Sequence, residues 1–280
     1  ELGILLDDRL AAMDKEAARA VRELQKRLMT GWSALQETLK GRSYALNLTP
    51  REHHAAKLAA KGLTNAEIAE YKKHLDQYNV KISAFLLANN LNADDLEDEL
   101  AWCTKALRVA HALGVKAVRI DSAMKGQQEL PFDVRVEKFV KGIRALIDAT
   151  PDAPVDMGIE NHGYQGNDPN FLHGVFDGVG SSRIGMTLDT GNFYWRGHAL
   201  EKTYAVIKEF APLAKHTHIK NINYPEDKRN ITREMGWEYG KYVCPIPDGD
   251  VDHTIVVGYL RDAGYDRDLC IEDESLGKFP

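Results

Sequence analysis

Four acidic or imidazole side chains stand at the ends of short apolar runs: Glu160 in MGIENHG, Asp189 in TLDTGN, His218 in KHTHIKN and Glu272 in CIEDES. The first two intervals, 189 − 160 and 218 − 189, are both 29 residues, about the length of one strand and its crossover helix. Equal steps predict equivalent heights on adjacent strands. The last interval, 272 − 218, is 54 residues because a polar stretch at 221–250 intervenes. Three carboxylates and one imidazole converging on one point repel in low dielectric unless a cation joins them. Oxygen-rich ligation with a single nitrogen points to one divalent ion, Mn2+ first, with Mg2+, Co2+ or Zn2+ as alternatives, and positions left open for substrate oxygens.

The elements needed to position these residues are legible around them. TNAEIAEYKKHLDQY opens with Thr64 and Glu67 in capping-box spacing and leads into the β-rich VKISAFLLA. Asn92 is the expected cap of the next helix, Gly114 its left-handed terminator, and VKAVRID the following strand. Helices over 132–148, near 168–179, over ALEKTYAVIKEFAPL and over HTIVVGYLRDAG then alternate with strands beginning near 155, 184, 216 and 269. Strands joined by helices of this length make right-handed crossovers and a parallel sheet. The expected fold is a single-domain (β/α)8 TIM barrel over 1–280, with chemistry at the C-terminal ends of the strands. Its first two strands are sought at 2–6 and 44–48, in an N-terminal stretch, 1–63, that is irregular or helix-rich. A doubly wound sheet is the alternative, but no glycine-rich phosphate loop follows an early strand. The insertion at 221–250 is expected to lie over the active face.

Composition narrows the partners. A net charge of −6 without a basic stripe disfavours nucleic acid. No apolar run reaches the length of a membrane span, and the start ELGILLDDRL lacks the pattern of a secretion signal. Three widely spaced cysteines, Cys103, Cys244 and Cys270, form no disulfide framework or metal motif and read as reduced thiols. The expected setting is cytoplasmic, with an N-terminus that is processed or trimmed, and self-association into a homo-oligomer is compatible with everything above.

From about residue 80 to 280 the chain resembles the xylose isomerase-like TIM-barrel superfamily, the sugar phosphate isomerase/epimerase group. The resemblance rests on GIENHG, LDTGN, HTHIKN, PDGDVDH and AGYDRDLCIEDES, in order and at strand–helix spacing. It implies a metal held by Glu160, Asp189, His218 and Glu272, a small carbohydrate substrate, and Glu160 and Glu272 as an acid/base pair working through an enediolate. Two positions depart from the 3-epimerase pattern: Asn192 stands where a histidine is common, and Tyr224 where an arginine is common.

Other residues follow from strand alternation, which turns His162 toward the side of Glu160, and His216 and Lys220 toward the side of His218. His162, His216 and Asn192 are candidate substrate ligands, each with a purely structural alternative. Lys220 is a candidate catalytic group that binds a carboxylate, steadies an enolate or carries a proton. Arg119 either pairs with Asp121 or touches substrate. Trp195 and Trp237 are candidate aromatic walls. The expected activity is isomerisation or epimerisation by proton abstraction alpha to a carbonyl. The rival is a lyase, a dehydratase or C-glycoside-cleaving enzyme on a keto sugar. Abasic-site cleavage, found in endonuclease relatives of this barrel, uses several additional histidines, and ISAFLLANN supplies none.

Overall fold

Six parallel strands run side by side in the order β1, β2, β3, β4, β5, β8. The structure is a computed structural model and describes residues 65–79, 81–124 and 126–275. These belong to a unit spanning Ala55–Pro280. The expected strands at 2–6 and 44–48, the stretch 1–63 and the capping residue Thr64 lie outside the described residues.

In chain order the elements are α1 (Asn65–Gln77), β1 (Ala84–Leu86), α2 (Leu96–Ala112), β2 (Ala117–Ile120), α3 (Phe132–Ala149), β3 (Asp156–Glu160), α4 (Pro169–Val179) and β4 (Ile184–Asp189). They continue with α5 (Asn192–Trp195), α6 (Leu200–Phe210), β5 (Ala214–Ile219), β6 (Asn221–Ile222), α7 (Glu226–Arg229), α8 (Tyr239–Tyr242), β7 (Val243–Cys244), α9 (His253–Asp262) and β8 (Cys270–Ile271). The helix–strand alternation read from periodicity is therefore present. One boundary moves: the cap of α2 is Asp95, whose carboxylate accepts from Asp98 N, and Asn92 instead bonds Asn90 Oδ1 through its backbone. Among successive Asn and Asp residues, the one that leaves its oxygen three positions ahead of a free N–H takes the cap. Gly114 does end α2 with φ +77, as its lack of a Cβ permits.

Alternation along the strands sorts the core from the site. Met157 and Ile159 of β3 and Met186 and Leu188 of β4 are fully buried in one cluster with Phe139 of α3 and Phe171 and Leu172 of α4. The intervening residues, Gly158 and Glu160 on β3 and Thr187 and Asp189 on β4, point the other way. Gly158 is required there, because a Cβ at that position would lie 2.7 Å from Thr187 N. Phe139 and Phe171 meet edge to face at 5.2 Å between centroids, locking α3 against α4.

The insertion has a structure of its own. β6 and β7 form an antiparallel ribbon pairing Asn221 with Cys244 and Ile222 with Val243. Arg233 clamps it to the rest of the fold: its guanidinium lies 4.4 Å from the Tyr194 ring and 4.3 Å from the Tyr224 ring and donates to Tyr194 O and His198 O. Buried Asp250 accepts from Tyr194 Oη at 2.8 Å and from Tyr224 N at 2.7 Å. Among the described residues no helix is long and apolar enough to cross a membrane.

Candidate metal centre

Glu160, Asp189, His218 and Glu272 converge so closely that one ligand atom from each lies within 4.8 Å of the others. Asp189 and His218 stand level, as equal spacing suggests, whereas Glu160 and Glu272 are offset. Glu160 is in register with Thr187, Asp189 with His218, and His218 with Cys270. Across β3–β4 and β5–β8 the site residue is thus two positions beyond its neighbour's level, and β4–β5 carries a bulge between Met186 and Thr187. Steps of two preserve side-chain direction, so all four still face the same side. Glu272 is held just past β8 by its N–H, which donates to Ile219 O at 2.9 Å.

Each ligand is oriented by a second set of contacts. Asp189 Oδ1 accepts from the N–H groups of Gly191 (2.8 Å) and Asn192 (2.7 Å), which turns Oδ2 toward the cluster. Asn161 brackets the Asp189 backbone, accepting from its N at 2.8 Å and donating to its O at 3.0 Å. Arg119 donates to Glu160 Oε2 through Nε and Nη2, while His218 Nδ1 lies 2.8 Å from Glu160 Oε1 and 3.3 Å from Glu272 Oε2. Lys220 Nζ sits 3.2 Å from Asp189 Oδ2, 2.9 Å from Glu272 Oε2 and 2.6 Å from Glu274 Oε1.

The electrostatics follow from this packing. Burial, together with the Glu272 and Glu160 carboxylates, outweighs Lys220 and pushes the Asp189 carboxyl up to about 8. Burial opposes charge on Glu160 as well, but Arg119 and His218 hold that carboxyl well below the usual range. Burial likewise opposes protonation of His218, and Glu272 and Glu160 overcome it, raising the imidazole well above its ordinary value. The cluster fits a hard or borderline divalent cation on its own chemistry. His218 Nε2 is buried with no hydrogen-bond partner, Asp189 Oδ2 and Glu272 Oε2 share a single ammonium, and three carboxylates with one imidazole are the donor set such an ion takes.

Residues 45–277 match the family described as Xylose isomerase-like TIM barrel. The chain belongs to that family. The fold expected from strand–helix spacing is thereby borne out, and its relatives in structure share it. A 3-keto-D-glucoside 4-epimerase from E. coli superposes with TM-score 0.58 at 12% identity, over 78% of this chain and 79% of the other. A xylose isomerase-like TIM barrel protein from Mycobacterium smegmatis, solved with magnesium, gives 0.57 at 18% identity over 78% and 74%. A probable 3-DHS dehydratase from Bacillus anthracis gives 0.53 at 18% identity over 79% and 80%. No curated protein matches the chain by sequence.

Around the four ligands, this member of the family places the remaining candidates unevenly. Arg119 takes both roles of a buried ion-pair partner, touching Glu160 and lying 3.4 Å from Asp121 Oδ2. His162 sets Nδ1 3.0 Å from Asp121 Oδ1 and keeps 46% of its side chain exposed. His216 lies edge-on to His218 with centroids 5.1 Å apart, and its Nδ1 is 2.6 Å from Asp268 Oδ2. Asn192 is buried beside Asp189 with Nδ2 unpaired. Trp195 packs on Gly236 of the insertion, and Trp237 stacks with Tyr242 at 5.6 Å. Tyr224 is buried in that aromatic group.

Sequence reasoning missed Glu274 and Tyr239. Glu274 takes the Lys220 ammonium on one oxygen and accepts from Tyr239 Oη at 2.7 Å on the other. Its position two beyond Glu272 was a usable signal; nothing local marks Tyr239, which the insertion folds into place. Among the described residues no second group of three or more metal-ligating side chains converges, so the additional histidines of a multi-zinc centre are not gathered there.

Proposed function

We propose that this chain is a divalent-metal-dependent enzyme that removes the proton alpha to a carbonyl of a sugar or polyol derivative and completes an isomerisation or epimerisation. The observation that carries the reading is the convergence of Glu160, Asp189, His218 and Glu272 beside a buried lysine. A divalent ion, Mn2+ in our reading, would be held by those four and would supply Lewis acidity toward a carbonyl and its neighbouring hydroxyl. Every other step belongs to side chains. Glu272, with 16% of its side chain open, is the better-placed base. Glu160 has Arg119 on one oxygen and His218 on the other, which fits a carboxylate that holds position, so that Glu272 returns the proton it removes. Lys220 presents an ammonium against Glu272 at 2.9 Å, where it would steady negative charge developing on a substrate at that base.

The similar structures include both an epimerase and a probable dehydratase, and one feature supports elimination as a second reading. Tyr239 and Glu274 add a further acid at the Lys220 ammonium, of the kind that protonates a leaving group. Incubating a panel of ketoses and 3-keto glycosides in D2O with metal-loaded protein separates the two. Deuterium incorporation without loss of water or aglycone is the result expected for isomerisation, and release of either marks a lyase. Undiminished activity after chelation and dialysis would remove both readings.

A further inference from the structure

The loop leaving β3 presents a tyrosine under two guanidinium groups. Arg196 Cζ lies 5.3 Å and Arg135 Cζ 5.5 Å from the centroid of the Tyr164 ring. Such spacing is that of a cation–π contact, and one ring rarely needs two cations. Neither guanidinium has a carboxylate within ion-pairing distance among the described residues. Arg135 is 7% exposed and its guanidinium also lies 5.5 Å from the Phe132 ring, yet among the described residues its side chain makes one long hydrogen bond, from Nη1 to Gln165 Oε1 at 3.4 Å, and its Nε has no hydrogen-bond partner. A buried guanidinium carries five N–H donors and is costly to leave unmatched.

The platform beneath is rigid. Ser122 Oγ donates to His162 O at 2.8 Å, Gln165 Nε2 to Ser122 O at 2.6 Å, and Asn167 Nδ2 to Gly163 O at 2.9 Å. Asp168, the loop's own carboxylate, caps α4 through Asn170 N at 2.9 Å. Tyr164 follows the ligand Glu160 by four residues, and Arg196 follows the ligand Asp189 by seven, immediately after α5. Both therefore leave the C-terminal ends of strands that carry metal ligands, on the face where this fold places its chemistry.

We infer that Arg135, Arg196 and Tyr164 form an oxyanion subsite on the strand-end face that also carries the metal centre, which receives a carboxylate or phosphoryl group carried by the substrate. The inference rests on the proposed sugar chemistry and narrows it to acidic derivatives. Planar guanidinium forks match both oxyanions, and a loop already tied down loses little freedom on binding.

The test is calorimetric titration of the Mg2+-loaded full chain with D-fructose, D-fructose 6-phosphate and D-gluconate. At least one anionic probe is expected to bind tenfold or more tightly than fructose, and which one does so distinguishes phosphoryl from carboxylate. Arg196→Ala should erase that advantage without changing the Mg2+ titration, and Arg196→Lys should restore part of it. Equal binding of the three probes, no measurable binding of either anion, or an advantage that survives both Arg196→Ala and Tyr164→Leu overturns the subsite. Loss of Mg2+ binding in the unmodified chain with anion preference intact would instead remove the metal chemistry and leave the subsite standing.

Discussion

Proton release on metal binding offers the sharpest view of the centre. In metal-free protein the Asp189 carboxyl is pushed up to about 8, first by burial and then by Glu272 and Glu160, and His218 is raised well above its ordinary value by the same two glutamates. Both groups bind metal only after losing a proton. Below pH 8 each unit of acidity therefore weakens binding about tenfold through Asp189, roughly 1.4 kcal/mol per unit, or about 2.7 kcal/mol between pH 8 and 6. His218 adds a second decade per unit while it remains protonated. Titration calorimetry with Mn2+ in two buffers of different ionisation enthalpy should count between one and two protons released at pH 7, falling toward one above pH 9. The stability of the metal-free protein obeys the same linkage. A carboxyl raised on folding takes up a proton, so its contribution is fully present below the unfolded value, near pH 4, and is lost as pH rises through about 8. Affinity that does not change between pH 6 and 8, with no proton released, would refute the argument that these carboxylates share one buried charge environment.

Three further outcomes are expected. Glu272→Gln should keep the fold by circular dichroism and lower kcat by about 10² to 10⁴, the usual worth of a general base. Lys220→Met leaves Asp189, Glu272 and Glu274 without their shared ammonium; it should destabilise metal-free protein by about 3–5 kcal/mol in urea denaturation, with Mg2+ restoring part of the loss. Gly249→Ala places a Cβ 2.0 Å from Asn221 Cγ, and because Asn221 ties the ribbon to Ile246 O and Val251 O, the insertion should become protease-sensitive while α3 and α4 stay protected in hydrogen exchange.

Much of this protein was legible in one dimension because its organising signals are local. Apolar runs ending in Glu160, Asp189, His218 and Glu272 announced both the strands and the four side chains that converge, and an even two-residue alternation was enough to turn all four one way. What spacing did not reveal was height. Equal 29-residue steps suggested level side chains, which holds for Asp189 and His218 but not for Glu160, because each register is set by hydrogen bonds to the neighbouring strand and by the bulge near Met186. Capping was ambiguous for the same kind of reason: several Asn and Asp residues precede α2, and only the backbone path selects Asp95.

The sequence by itself determined which residue types meet and the oxygen-rich donor set they make, since charge, residue type and strand periodicity need no partner from elsewhere in the chain. Tertiary structure alone decided how those residues are tuned. Arg119 reaches Glu160 across 41 positions, Tyr239 reaches Glu274 across 35, and Arg135 and Arg196 share the ring of Tyr164 although each comes from a different segment. Burial and pairing of this kind depend on distances between strands and loops remote in sequence, and only the folded chain fixes them.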